Sequence, residues 1–169
     1  TVVAALGNNA GIARAIVSLF TALHDPAFAG DRAAAAVKLD EEIKAGLAKV
    51  AAADEDRILR LMQAVVKATL RTNAFAPAAK EALAFKLDSA KVPGLPAPLP
   101  WREIFVYSPR VEGIHLRAGP VARGGLRWSD RRDDFRTEIL GLMKAQRVKN
   151  AVIVPTGATD RSTARPARP

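Results

Sequence analysis

The apolar residues of this chain change their period once, and that change limits the fold more than any other feature. Up to about residue 72 they recur every three or four positions. Ile12, Ile16, Leu19, Phe20 and Leu23 make one stripe, Leu39, Ile43, Leu47 and Val50 a second, and Ile58, Leu61, Met62, Val65, Val66 and Leu70 a third. The spacing predicts helices over 10–24, 32–53 and 54–72. "DPAFAGD" separates the first two through Pro26 and Gly30. Asp54 is the expected cap of the third helix, with Glu55 and Asp56 at its positive end and Lys67 and Arg71 at its negative end.

Beyond residue 85 the pattern differs. "VPGLPAPLP", 92–100, holds four prolines and a glycine and reads as an extended connector. Over 101–119 the period becomes two. Ile104 and Val106 alternate with Phe105 and Tyr107, and Ile114 and Leu116 with His115 and Arg117, around a Ser108-Pro109-Arg110 turn. This predicts a hairpin with one buried face. From Asp133 the helical period returns at Phe135, Ile139, Leu142, Met143 and Gln146, and "AVIVP", 151–155, reads as a strand buried on both faces. "TDRSTARPARP" has no periodicity and is expected to be disordered. The expected fold class is α+β or α/β: a helical segment over 1–84, a connector over 85–100, the start of an α/β domain over 101–158 and a tail over 159–169. That domain, with only a hairpin, a helix and a strand, is incomplete.

A length of 169 residues bounds this to one domain or a domain and a half. The lack of cysteine excludes disulfides and cysteine metal sites, and fits a cytoplasmic setting. No apolar run approaches the roughly 18 residues of a membrane span, so no membrane partner is expected. "TVVAALGNN" lacks a basic residue ahead of its apolar run and does not read as a signal peptide. A start at Thr1 reads as a piece of something longer or a processed product.

The net charge of +9 is concentrated. Residues 101–150 carry 11 Lys and Arg against 6 Asp and Glu, whereas 1–100 carry 12 against 10. The excess surrounds "GPVARGGLRWSDRRDDF", 119–135. Gly124 and Gly125 leave backbone bare for a close approach, and Arg123 and Arg127 flank them with planar donor forks suited to carboxylate or phosphate. Lys149, at the end of the predicted helix, adds a second cation. Two readings stay open on the residues alone: a small-dianion site, or solvated surface charge. For Arg131, Arg132, Asp133 and Asp134 the surface reading is preferred. Trp128 is expected to pack rather than to offer a stacking platform. No Gly-Lys-Ser/Thr follows the glycines, so this is no phosphate loop, and Gly7 and Gly11 follow no strand, so they are no dinucleotide fingerprint. His24 and His115 have no carboxylate at ligand spacing, and no metal is expected. A basic nucleic-acid module and a purely structural domain remain as alternatives; nucleic acid is not the expected partner, because aromatics are only 5% of the chain.

"EIFVYSPRVEGIHLRAGPVARGGLRWSDRRDDFRTEILGLMKAQRVKNAVIVPTGA" closely resembles the large bacterial type of NAD-dependent glutamate dehydrogenase, as do "DEDRILRLMQAVVKATLRTN" and "FKLDSAKVPGLPAPLPWREIFVYSPR". The resemblance covers roughly residues 10–158. It implies an oxidoreductase that converts L-glutamate to 2-oxoglutarate and ammonia with NAD, homo-oligomeric in its full-length form. It also implies that Arg123 binds the side-chain carboxylate where smaller enzymes of this kind use a lysine, that Lys149 in Lys149-Asn150-Ala151 binds the α-carboxylate, that Gly124 and Gly125 shape the pocket, and that Arg127 supports it. The family continues into Gly-Ala-Lys-Gly-Gly, whose lysine is catalytic. Here Thr159 follows Gly157-Ala158, so the likeness is expected to stop at Ala158, with no catalytic residue and no NAD-binding residue in this chain. Alone, the fragment is expected to be inactive.

Overall fold

The computed structural model describes residues 1–120, 124–130, 134–149 and 160–166. They form two compact units, Thr1–Ala68 with Lys91–Pro93, and Thr69–Ala90 with Gly94–Pro169.

The first unit is helical: α1 (Val2–Asn8), α2 (Ala10–His24), α3 (Arg32–Leu47) and α4 (Ala53–Ala68). Its core joins Ile12, Ala15, Ile16 and Leu19 of α2, Ile43 and Leu47 of α3, and Leu59 of α4. Leu19, Ile43 and Leu59 are fully buried, and each such side chain contributes roughly 1.5–3 kcal/mol. Of the predicted stripes, Ile12, Ile16, Leu19, Ile43 and Leu47 are in this core and Leu23, Leu39 and Val50 pack against it, but α3 ends at Leu47 rather than at residue 53, so Val50 follows the helix. In α4 Leu59 and Ala68 are buried, whereas Leu61 is exposed; Leu59, Met62 and Val66 keep the three–four spacing on the face toward the core. Asp31, not Asp54, is a cap: its carboxylate accepts the amides of Ala33 and Ala34. Asp54 lies inside α4, because the helix starts one residue earlier. Arg32 donates to the carbonyls of Ala22 and Asp25 and so closes the carbonyl end of α2. Among the described residues no single helix is long and apolar enough to cross a membrane.

The second unit is a sheet with one helix, α5 (Phe135–Lys149). Its described strands are β1 (Thr69–Thr72), β2 (Leu83–Leu87), β3 (Arg102–Tyr107), β4 (Val111–Arg117), β5 (Gly124–Trp128) and β6 (Asp160–Pro166), in the order β1-β2-β3-β4-β6-β5. The first four are antiparallel. β6 runs antiparallel to β4 and parallel to β5.

Three expectations are corrected here. The helical segment gives way to strand at Thr69, not residue 84: Leu70 continues the helical apolar spacing, but the β-branched Thr69 and Thr72 flank it and pair with β2. β2 in turn takes up the first residues assigned to the connector. The tail is not wholly without structure, since Asp160–Pro166 form β6, paired with β4 on one side and β5 on the other. The "AVIVP" strand, Thr159 and 167–169 lie outside the described residues.

The hairpin is present, but its apolar pairs point to opposite faces. Glu103 pairs with Leu116, Phe105 with Ile114, and Ile104 with His115. Directly paired residues share a face, so Ile114 and Leu116 share theirs with Glu103 and Phe105, while Ile104 and Val106 lie on the other. A loop of four residues between the paired Tyr107 and Glu112 sets that register. α5 covers the Leu116 face through Phe135, Ile139, Leu140 and Met143.

Candidate functional site

The β5–α5–β6 crossover builds the region of interest. β5 and β6 are parallel, with Gly124 beside Asp160 and Gly125 beside Arg161. Parallel neighbours require the chain to travel back between them. α5 makes that return over β4 and β6; its 15 residues span about 22 Å, more than the length of β5. α5 therefore runs back in the direction of the sheet end where Gly124 begins β5. Arg123, Asn150 and Thr159 lie outside the described residues. Asp160 and Arg161, the register neighbours of the two glycines, are of opposite charge and cancel formally.

α5 is fixed near its start by two polar ties. Arg136 forms a two-pronged pair with Glu103: Nε donates to Oε1 at 2.8 Å and Nη2 to Oε2 at 2.7 Å. The two side chains are 23% and 9% exposed, which makes this the most enclosed of the described ion pairs. Ser129, buried just past β5, donates its hydroxyl to Glu138 Oε2 at 3.0 Å. The first tie anchors α5 to β3 and the second to the end of β5. Such bidentate guanidinium–carboxylate pairs set orientation as well as energy. No sequence spacing announces Glu103–Arg136, because the partners are 33 residues apart. The one local signal is an acid on the apolar face of a strand.

At the corner where β4 leads toward β5, Trp101 carries two guanidinium groups, Arg102 at 4.3 Å and Arg117 at 5.4 Å from the ring centroid. Trp128 is 62% exposed, against the expected packing role. It closes β5, which has β6 on one side and no described strand on the other, so nothing described covers it. Asp134 is exposed, as the surface reading has it, and 131–133 lie outside the described residues. Among the described residues no three His, Asp or Glu side chains converge as metal ligands. Gly7 and Gly11 lie within α1 and α2. A dinucleotide cradle needs a strand–glycine turn–helix unit, and no glycine-rich turn links the described strands to α5. The described residues therefore do not fit NAD.

Residues 42–165 match the family model described as bacterial NAD-glutamate dehydrogenase, catalytic domain. The match runs seven residues beyond Ala158, further than the motif reading places its end. The chain is 54% identical over 163 residues to the NAD-specific glutamate dehydrogenase of Mycobacterium tuberculosis, covering 90% of this chain and 10% of that protein. It is 52% identical over 164 residues to the protein of the same name from Pseudomonas aeruginosa, covering 93% and 10%. A third, from Halomonas elongata, is 52% identical over 160 residues, covering 90% and 10%. The chain thus spans about a tenth of the length of these relatives.

Proposed function

Given that the chain belongs to the bacterial NAD-glutamate dehydrogenase family, we propose that it supplies one half of a glutamate clamp. Arg123 holds the side-chain carboxylate, Lys149 holds the α-carboxylate, and the bare backbone of Gly124 and Gly125 lets the substrate approach. The parent enzyme oxidises L-glutamate with NAD and water to 2-oxoglutarate and ammonium, passing a hydride to the cofactor. In that reaction this chain binds and orients. Two fixed cations set the distance between the carboxylates and so aim the carbon between them, which is how positioning lowers a barrier. NAD is held by residues outside this stretch. Thr159, which has no ammonium to offer, stands at the family's lysine position, so the 169-residue chain does not turn over by itself. The same reading carries a cytoplasmic, homo-oligomeric parent.

The observation that supports this best is the parallel β5–β6 pair, which makes α5 run back toward the glycine end of β5. The test is kinetic. In a full-length enzyme carrying this stretch, Arg123→Gln and Lys149→Gln each raise KM for glutamate by about tenfold or more, the cost of a lost charge-assisted hydrogen bond, and leave KM for NAD in place. An unchanged glutamate KM assigns both cations to the surface. The isolated chain gives no NADH absorbance with glutamate and NAD; turnover would overturn the Thr159 argument.

A further inference from the structure

Arg117 is the last residue of β4, and the way it is held has a use. Its Nη2 donates to the Pro120 carbonyl at 2.7 Å, and its guanidinium lies over Trp101. The Trp101 amide donates to the Arg117 carbonyl at 2.6 Å. Trp101 is itself held by Arg102, which stacks on the indole and donates to the Trp101 carbonyl at 2.6 Å and to the Asp88 carboxylate at 3.1 Å. Asp88 follows β2, Arg102 begins β3 and Arg117 ends β4, so three neighbouring strands are tied at one corner.

The chain turns out of the sheet at this corner, with Ala118 and Gly119 buried and Pro120 exposed. Proline donates no amide hydrogen bond, so its carbonyl is the handle by which the turn is gripped. Gly124 begins β5 four residues later, within about 14 Å along any path. A guanidinium can stack flat on an indole and donate in its own plane at once; an ammonium cannot.

We propose that Arg117 is a positioning residue: by lying over Trp101 and gripping the Pro120 carbonyl it fixes where the chain heads toward β5, and with it the place where the bare backbone of Gly124 and Gly125 meets a substrate carboxylate. This rests on the clamp reading above.

The test uses the 169-residue chain, glutarate as the probe and amide NMR as the readout. Arg117→Ala weakens glutarate binding about tenfold, the worth of one lost interaction, and speeds amide exchange at Gly119, Gly124 and Gly125. The amides of 112–116 keep their shifts, which shows the hairpin intact. Millimolar guanidinium restores part of the affinity, an effect that general loss of fold does not give. Arg117→Lys falls between, and it serves alone if the alanine variant does not fold. Unchanged glutarate affinity together with unchanged exchange at those glycines overturns the proposal. If the unaltered chain does not bind glutarate, the clamp reading fails, and the exchange rates alone decide whether Arg117 holds the turn.

Discussion

The helical unit and the sheet unit are stabilised in different currencies. In the first, apolar stripes on α2, α3 and α4 meet in one core. In the second, buried apolar residues on β4 and α5 are supplemented by polar ties, Glu103–Arg136, Ser129–Glu138 and the Trp101 corner, that link strand to strand and strand to helix. The lesson is that burial holds the scaffold, while polar ties aim the region where chemistry is proposed. An apolar contact tolerates small rotations; a two-pronged ion pair does not.

The comparison is open to breakage at several points. The largest effect is expected in the helical core: Leu59→Ala costs about 3 kcal/mol, and Leu61→Ala, two residues on, less than about 0.5. Urea unfolding followed by helical circular dichroism measures both, and similar costs would remove the claim that one α4 face carries the packing.

Next comes Glu103→Ala, which strands a largely enclosed guanidinium and costs about 2–3 kcal/mol, less than for a fully buried pair because Arg136 is 23% exposed. Trp101 and Trp128 are the two tryptophans and both lie in the sheet unit, so their fluorescence reports on it separately. Glu103→Leu with Arg136→Met regains most of the loss. A fluorescence transition that moves only together with the helical one would mean the two units unfold as one.

A smaller effect sharpens the packing claim for the first unit. A Cβ added at Gly46 would lie 2.7 Å from Ile12 Cγ1. Gly46→Ala gains up to about 1 kcal/mol of helix propensity but pushes α3 off α2, an overpacking cost of about 1–3. The expected net is a loss of about 1 kcal/mol; a gain would show the α2–α3 contact to be loose.

The smallest effect depends on pH. The Asn8 and Asn9 side-chain amides donate to the two oxygens of Glu55 at 2.7 and 2.8 Å, and hold its carboxyl below the ordinary glutamate range. A carboxyl depressed in the folded state adds stability above its unfolded pKa, about 4.3, and loses it as pH falls through the lower folded value. Glu55→Gln therefore flattens the acid limb of the helical unit's stability profile below about pH 4.3. An identical acid limb would detach Glu55 from that unit's pH response.

The same contrast governs what the sequence made legible. The α2 bounds, the α3 stripe and the buried Phe135, Ile139 and Met143 follow from period alone, because a helix face is a local property. β1 was hidden behind a helical apolar spacing, and β5 behind a glycine pair that reads as loop. The split of Ile104 and Ile114 onto opposite faces depends on register, which one loop residue decides. Of the candidate site, the cations and glycines were readable as a charge pattern next to bare backbone. Arg117, Glu103 and Arg136 were not, because their partners are distant in sequence or are backbone atoms with no identity of their own.

Two cations that hold the two ends of one dicarboxylate, as proposed, would favour glutarate over butyrate, and that preference is the most direct measure of the clamp. In this chain, with binding read at the Gly124 and Gly125 amides, glutarate binds about tenfold or more tighter than butyrate. Arg123→Gln and Lys149→Gln each bring the ratio near one, and the double variant does no more than either. A preference that is absent at the outset, or that survives both substitutions, contradicts the clamp.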